Sequence, residues 1–273
     1  MDPDATPRCD GMPMIGLGTY DNADHDQCVE SVRTALELGY RHVDTAQLYR
    51  NEAAVGDGIA EADVDREDVF LATKVWVDRL GYDEVNSSVE RSLEKLGTDH
   101  VDLLYVHWPA DAYDPEETLS AFEELKRAGT IDRIGVSNFE PEQLDVAMDV
   151  CDEPIFANQI ELHPLLQQAE LREYCADVGV ELVAYCPVAR GKVADVDVLV
   201  DIADSHDATA YQVSLAWLRQ KGVTAIPKAT GEDHIRENLQ SLSLTLTDGE
   251  LSRIDSIDRD ERLVRPRFAP ETW

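Results

Sequence analysis

Short apolar segments alternate with longer amphipathic segments along most of the chain. Two of the short segments, VDLLYVHW and ELVAYCPV, are apolar at nearly every position. Such continuous runs are typical of parallel strands that are covered on both faces. The pattern predicts eight strands, which end near Thr19, Asp44, Lys74, His107, Asn138, Glu161, Pro187 and Lys228.

The amphipathic segments between these strands predict helices. Apolar residues at helical spacing place them at residues 27–38, 52–61, 83–96, 115–127, 141–150, 168–178 and 209–220, with one more starting near Glu232. Asp114 and Glu140 each precede a proline, which is a common way for a helix to begin. A glycine follows the last turn of several helices, as expected for a left-handed cap: Gly39, Gly97, Gly129, Gly179 and Gly222.

Eight strands, most of them followed by a helix, predict an α/β fold: a single (β/α)8 TIM barrel over residues 1–273. We expect the first dozen residues, through Met12, to cap the bottom of the barrel. Residues 247–273 stand outside the eight units and predict a helix at 248–257 followed by an extended tail. A doubly wound open sheet is the alternative, but the segment GLGTY lacks the third glycine of the G-x-G-x-x-G pattern.

The net charge limits the kinds of molecule that the protein is expected to bind. Fifty-six acidic against 24 basic residues give a net charge of −32, so no basic surface is expected to bind nucleic acid or an anionic membrane. The N-terminal segment is acidic and has no apolar stretch of signal-peptide length, which predicts a cytoplasmic protein. We expect reduced cysteines, a small-molecule substrate and a monomer or weak oligomer.

Polar side chains stand at the ends of the predicted strands, which meet at one mouth of a barrel. Asp44 and Tyr49 follow the second strand, Lys74 ends the third and His107 ends the fourth. A lysine ammonium would lower the pKa of a neighbouring phenol, and an aspartate would hold that ammonium in place. Tyr49 could then donate a proton to a carbonyl oxygen that His107 orients.

Other roles for the same residues remain open. The four could form a structural salt bridge with a packed tyrosine and histidine. A Schiff base on Lys74 or Lys228, as in barrel aldolases, is chemically possible. The seven histidines show neither H-x-x-x-H nor H-E-x-x-H spacing, so no metal site is predicted.

The segment AIPKATGEDHIRENLQ places Lys228 shortly before a helix that starts near Glu232. Barrel enzymes commonly bind phosphate at this position, on the N-terminus of a helix. A solvated lysine beside an ordinary helix start is the alternative.

Eight motifs, in order between about Met12 and Leu246, resemble those of the aldo-keto reductase family. They are GLGTY, GYRHVDTAQLYRNE, LATKVW, DLLYVHWP, IGVSNF, NQIELHP, AYCPVARG and IPK…EN. The resemblance implies a (β/α)8 barrel that transfers hydride from a nicotinamide cofactor to small aldehydes, ketones or keto-sugars. A cofactor-binding regulatory subunit on the same fold is the alternative from another functional class.

The resemblance also implies roles for individual residues. Tyr49 matches the general acid, Lys74 and Asp44 the pair that tunes it, and His107 the residue that orients the carbonyl. The residues that match cofactor contacts are Thr19, Asp44, Ser137, Asn138, Gln159, Tyr185, Pro187, Val188, Lys228, Thr230, His234, Glu237 and Asn238. Tyr20, Trp76 and Trp108 match substrate-pocket walls, together with Tyr49 and His107.

Two positions depart from the family pattern. Where the family usually has a serine and an arginine for the 2′-phosphate of NADPH, this chain has Ala229 and His234. A neutral imidazole does not replace a bidentate guanidinium contact. We therefore expect NADPH to be favoured and NADH to be usable.

Three arginines, Arg262, Arg265 and Arg267, gather in the predicted tail. They could balance nearby acids, or they could attract anionic substrates such as keto acids or sugar acids to the mouth.

Acidic residues occur in every predicted helix except the one at 209–220, and this wide spread favours a surface adapted to very high salt. We predict that the melting temperature rises steeply in molar KCl or NaCl, because salt screens the repulsion between carboxylates. Thermal unfolding from dilute buffer to molar salt measures this, and full stability in dilute buffer would contradict it.

Overall fold

The computed structural model describes residues 6–269. A short antiparallel hairpin, β1 (Arg8–Cys9) and β2 (Met12–Pro13), precedes the main sheet. Eight strands form that sheet: β3 (Leu17–Gly18), β4 (His42–Asp44), β5 (Phe70–Val75), β6 (Val101–Val106), β7 (Ile131–Ser137), β8 (Ile155–Glu161), β9 (Glu181–Tyr185) and β10 (Thr224–Ala225).

The helices lie between and after these strands. They are α1 (His25–Leu38), α2 (Glu52–Glu61), α3 (Tyr82–Leu96), α4 (Pro115–Arg127), α5 (Pro141–Val150), α6 (Ala169–Val178), α7 (Asp197–Ser205), α8 (Ala210–Gln220), α9 (Glu232–Gln240) and α10 (Asp248–Asp255). Within residues 6–269, none of them is long and apolar enough to cross a membrane.

The main sheet is parallel throughout, and its strands pair in chain order from β3 to β10. Parallel bridges join Ile15 to Ala225 and Gly18 to Lys228, so the first strand also meets the last. One apolar cluster fills the space between sheet and helices, and a smaller one, with Leu103, Tyr105 and Val183, fills the inside. The architecture is an α/β (β/α)8 fold.

The eight predicted strands and all of the predicted helices are confirmed, with shifts at their ends. Helix α1 begins at His25 rather than residue 27 because the carboxylate of Asp24 accepts the N–H of Gln27 (2.9 Å). Strand β10 ends at Ala225, before Lys228, since Pro227 has no N–H to continue the ladder. Helix α7 was not predicted, because its sequence, DVLVDIADS, is short and rich in β-branched residues.

The hairpin contacts residues that lie at or near the amino ends of the barrel strands. Met12 is buried in the inner cluster with Phe70, and the Cys9 thiol donates to Glu181 Oε2 (2.7 Å). Residues 1–5 of the predicted cap and residues 270–273 of the predicted tail lie outside the described residues. The tail has no helix or strand from 256 to 269.

Candidate active site

A buried ion pair lies at the centre of the mouth. The Lys74 ammonium donates to Asp44 Oδ1, to the Thr45 carbonyl (2.8 Å) and to the Tyr49 hydroxyl (3.4 Å). The side chains of Lys74 and Asp44 are 0% and 2% exposed. Charges so far from water require partners, and here three oxygens surround one ammonium.

Two side-chain amides fix the loop that carries Tyr49. This residue ends a short 3-10 helix, Gln47–Tyr49. Gln47 accepts the N–H of Trp76 (3.2 Å) and donates to two serines of α3, while Asn51 donates to the Thr19 carbonyl (2.8 Å) and accepts from the Thr45 hydroxyl (3.0 Å). The phenol is thereby held beside the ammonium.

His107 follows β6 and packs edge to face on Tyr49 and Trp76, with ring centroids 5.8 Å and 5.0 Å away. Burial lowers the pKa of His107 well below its usual range, and the nearby charge of Lys74 lowers it further. The imidazole is therefore neutral at physiological pH and can donate one hydrogen bond without carrying a charge.

The pKa of Tyr49 differs from the expectation drawn from sequence. Burial raises it well above its usual value, and the charge of Asp44 raises it further. The net lowering of this pKa expected from sequence is therefore not found, because desolvation and the charge of Asp44 both oppose the phenolate. The phenol therefore stays protonated through neutral pH.

A chain of hydrogen bonds leads from the ion pair to Tyr185. Gln159 Nε2 donates to Asp44 Oδ2 (2.8 Å), and the Ser137 hydroxyl donates to the Gln159 carbonyl (2.7 Å). Asn138 donates to Ser137 Oγ (3.0 Å) and accepts from the Tyr185 hydroxyl (2.8 Å). Ser137, Asn138 and Gln159 are buried and Tyr185 is half-buried, so this network lines one side of the mouth.

The remaining cofactor candidates lie in three other groups. The Thr19 hydroxyl donates to the Asp44 carbonyl (3.0 Å), and exposed Lys228 pairs with Gly18, one residue before Thr19. Pro187 and Val188 follow β9, and the Pro187 carbonyl accepts from Ser214 (2.6 Å). Half-buried Thr230 precedes α9, which carries buried Asn238 and the exposed imidazole of His234, 3.5 Å from Glu237.

Aromatic rings form the walls above the catalytic candidates. Tyr20 lies edge to face on Tyr49, at 5.3 Å between centroids. Phe268 contacts both Trp76 (5.9 Å) and Trp108 (5.6 Å). Phe268 was not predicted, because a single phenylalanine in an irregular tail carries no pattern that points to the pocket.

Glu161, a buried acid at the same mouth, was not among the predicted site residues. It ends β8 two positions after Gln159, so both side chains are on the same face of the strand. That alternation is the signal that could have identified it. Among the tail arginines, Arg262 donates to Gln168 Oε1 (3.3 Å), whereas Arg265 and Arg267 are exposed.

Comparisons with known proteins agree with this geometry. A model of the Aldo/keto reductase family matches residues 14–259. The chain is 40% identical over 253 residues to a glyoxal reductase of Bacillus subtilis (92% of this chain, 91% of the relative). It is 41% identical over 265 residues to a methylglyoxal reductase of Escherichia coli O157:H7 (96% of this chain, 99% of the relative).

A solved structure shows the same architecture. The crystal structure of an aldo/keto reductase from Brucella melitensis superposes with a TM-score of 0.88 at 36% identity, covering 93% of this chain and 100% of that one. The chain belongs to the aldo/keto reductase family and is an NAD(P)H-dependent oxidoreductase that reduces carbonyl groups.

Proposed function

We propose that this enzyme reduces small aldehydes, ketones and keto-sugars, with Tyr49 as the proton donor, Lys74 and Asp44 as its supporting pair and His107 orienting the substrate. One observation carries the assignment: the same ammonium contacts both the Asp44 carboxylate and the Tyr49 hydroxyl. The two named relatives act on glyoxal and methylglyoxal, and small dicarbonyls of this kind fit a mouth narrowed by aromatic rings.

The raised pKa of Tyr49 suits a donor that gives up its proton only after the substrate's carbonyl oxygen has gained negative charge. NAD(P)H supplies the hydride when it is bound. The substrate's carbonyl oxygen becomes strongly basic as it gains negative charge, and the phenol, protonated until then, gives up its proton. Lys74, 3.4 Å away, stabilises the phenolate that forms. Neutral His107 donates to the same oxygen and fixes its position.

The side chains around the mouth suit a dinucleotide. Ser137, Asn138 and Gln159 offer the amide and hydroxyl groups that a carboxamide needs, and the half-buried ring of Tyr185 offers a stacking surface. Exposed Lys228, ahead of the N-terminus of α9, suits a phosphate. We assign Thr19, Pro187, Val188, Thr230, His234, Glu237 and Asn238 to the remaining contacts with the cofactor.

We also propose the setting in which the enzyme works. The chain forms one barrel domain with the N-terminal hairpin as its bottom cap, and it acts in the cytoplasm at high salt. The 56 acids support the salt adaptation. The aldolase alternative is not favoured, because the Lys74 amine is enclosed and bonded to three oxygens and so is not free to attack a carbonyl.

Replacing Tyr49 by phenylalanine removes the proposed proton donor and keeps the ring. We predict that kcat for methylglyoxal reduction falls by about 10²–10⁴-fold, the usual contribution of general acid catalysis. Tyr105→Phe is the matched control, since its buried ring lies 5.9 Å from the same Lys74 ammonium; its kcat should stay near that of the wild type. Full activity in Tyr49→Phe would exclude the mechanism.

The pH dependence of reduction follows from the two shifted groups. The pKa of His107 is lowered from the ordinary 6.5 and that of Tyr49 is raised from the ordinary 10.0. Neither of these two groups changes charge between those values, so we predict that neither produces a step in kcat/KM there. Activity should fall at lower pH, as His107 gains a proton, and at higher pH, as Tyr49 loses one. Loss of the Lys74 ammonium, whose pKa burial lowers from the ordinary 10.5, adds to the fall at higher pH. A sigmoidal step inside this window that disappears in His107→Gln would contradict the assignment.

The nicotinamide preference can be tested at His234. We predict that the wild type uses both cofactors with NADPH favoured, and that His234→Arg raises the NADPH to NADH ratio of kcat/KM by about tenfold, because a guanidinium binds the 2′-phosphate through paired hydrogen bonds. His234→Ala is the control and should leave the ratio nearly unchanged. Steady-state kinetics in molar salt measure these ratios; a wild-type preference of about a thousandfold either way would contradict dual use.

A further inference from the structure

A second fully buried acid, Glu161, lies at the carboxyl end of β8. Its side chain is 0% exposed, and His163 Nε2 lies 3.1 Å from Oε1. Its carboxylate also accepts two hydrogen bonds from the C-terminal tail: Oε1 accepts the N–H of Leu263 (2.7 Å) and Oε2 accepts the N–H of Val264 (2.9 Å). The carboxylate thus binds two successive backbone N–H groups of a segment about 100 residues away in sequence.

The segment that it holds, residues 261–269, is called the strap here. The strap has no helix or strand to order it. The strap has further hydrogen bonds to the barrel. The N–H of Glu261 donates to the Leu165 carbonyl (2.8 Å), and the Arg262 guanidinium donates to Gln168 Oε1 (3.3 Å). A short irregular segment depends on such bonds for its position, and charge-assisted bonds to a buried carboxylate are the stronger kind.

The far end of the strap forms part of the aromatic pocket. Val264 and Ala269 pack against the cluster of Val77 and Trp108, and the Phe268 ring contacts both Trp76 and Trp108. Trp76 in turn packs on His107. The position of the strap therefore decides whether Phe268 stands as a wall near the reacting groups.

We propose that Glu161 is a positioning residue that fixes the strap and, through Phe268, gives the enzyme its affinity for aromatic carbonyl substrates. This inference rests on the proposed function of the mouth. A three-carbon substrate is too short to need the wall, whereas an aromatic aldehyde packs against it. Glu161 touches neither the proposed proton donor nor the orienting histidine, so it acts on KM and not on the chemical step.

The test compares benzaldehyde with methylglyoxal in Glu161→Gln. An amide has one acceptor oxygen, so it accepts one strap N–H and turns its own N–H₂ toward the other. We expect the KM for benzaldehyde to rise about tenfold with kcat nearly unchanged, and both constants for methylglyoxal to stay near wild type. Hydrogen exchange of the peptide that covers the strap should be faster in the variant.

A double-mutant cycle with Phe268→Ala separates positioning from a general effect on stability. If Glu161 acts through Phe268, the double variant has the same benzaldehyde KM as Phe268→Ala alone. Glu52→Gln is the matched control, since Glu52 is also a fully buried acid, bonded to Thr73 and Lys95 rather than to the strap. It should leave the ratio of the two kcat/KM values unchanged.

A second route tests the same contact where Glu161→Gln does not fold. Leu263→Pro deletes one of the two N–H donors and leaves the glutamate in place, whereas Leu263→Ala keeps the donor. The proline variant should lose selectivity for benzaldehyde and the alanine variant should keep it.

Three results would overturn the proposal: equal losses for both substrates, additive effects of Glu161→Gln and Phe268→Ala, or unchanged exchange of the strap. The proposed function fails separately. A wild type that reduces no carbonyl compound contradicts that function, whereas normal wild-type turnover with unchanged selectivity in Glu161→Gln contradicts only the positioning role.

Discussion

The ion pair between Lys74 and Asp44 is the interaction on which the mouth of the barrel depends. Its geometry is set by the sheet, because Asp44 pairs with Ala72 on β5, two residues before Lys74 on the same face of the strand. The ammonium then joins β4, Thr45 and the loop of Tyr49. Removing one partner of such a pair typically costs about 3–5 kcal/mol, because it leaves a charge buried alone. The register of two strands thus positions the two charged groups of the proposed site.

The acids of this chain fall into two populations that obey different physics. Asp44, Glu52 and Glu161 are enclosed, and each has specific hydrogen-bond partners, since an unpaired buried carboxylate is too costly to keep. Most of the others face solvent, where dissolved ions set their mutual repulsion. The net charge of −32 therefore describes the surface and its solvent. The net charge has little effect on the mouth, where the charge state of each side chain depends on the groups in contact with it.

Sequence reasoning succeeded where the fold is periodic. Strand ends converge on one mouth of a barrel, so Asp44, Lys74 and His107 could be grouped before any coordinates were known, and the structure brings them together with Tyr49. It failed where position depends on irregular backbone or on burial. Phe268 reaches the pocket through a tail without pattern, and the pKa of Tyr49 depends on how much water its site excludes. Residue spacing predicts neither the position of Phe268 nor the pKa of Tyr49.

The closure of the barrel between β3 and β10 bears on the chain entropy that folding must overcome. It is closed by short strands and a few backbone bonds, including Gly16 N–H to the Ala225 carbonyl (2.9 Å) and Gly18 N–H to Pro227 (3.1 Å). These partners are about 209 residues apart in the chain, whereas Asp44 and Lys74 are 30 apart. Closing the longer loop costs more entropy. The closure that brings Lys228 and α9 to the mouth therefore restricts far more of the unfolded chain than the contact between Asp44 and Lys74 does.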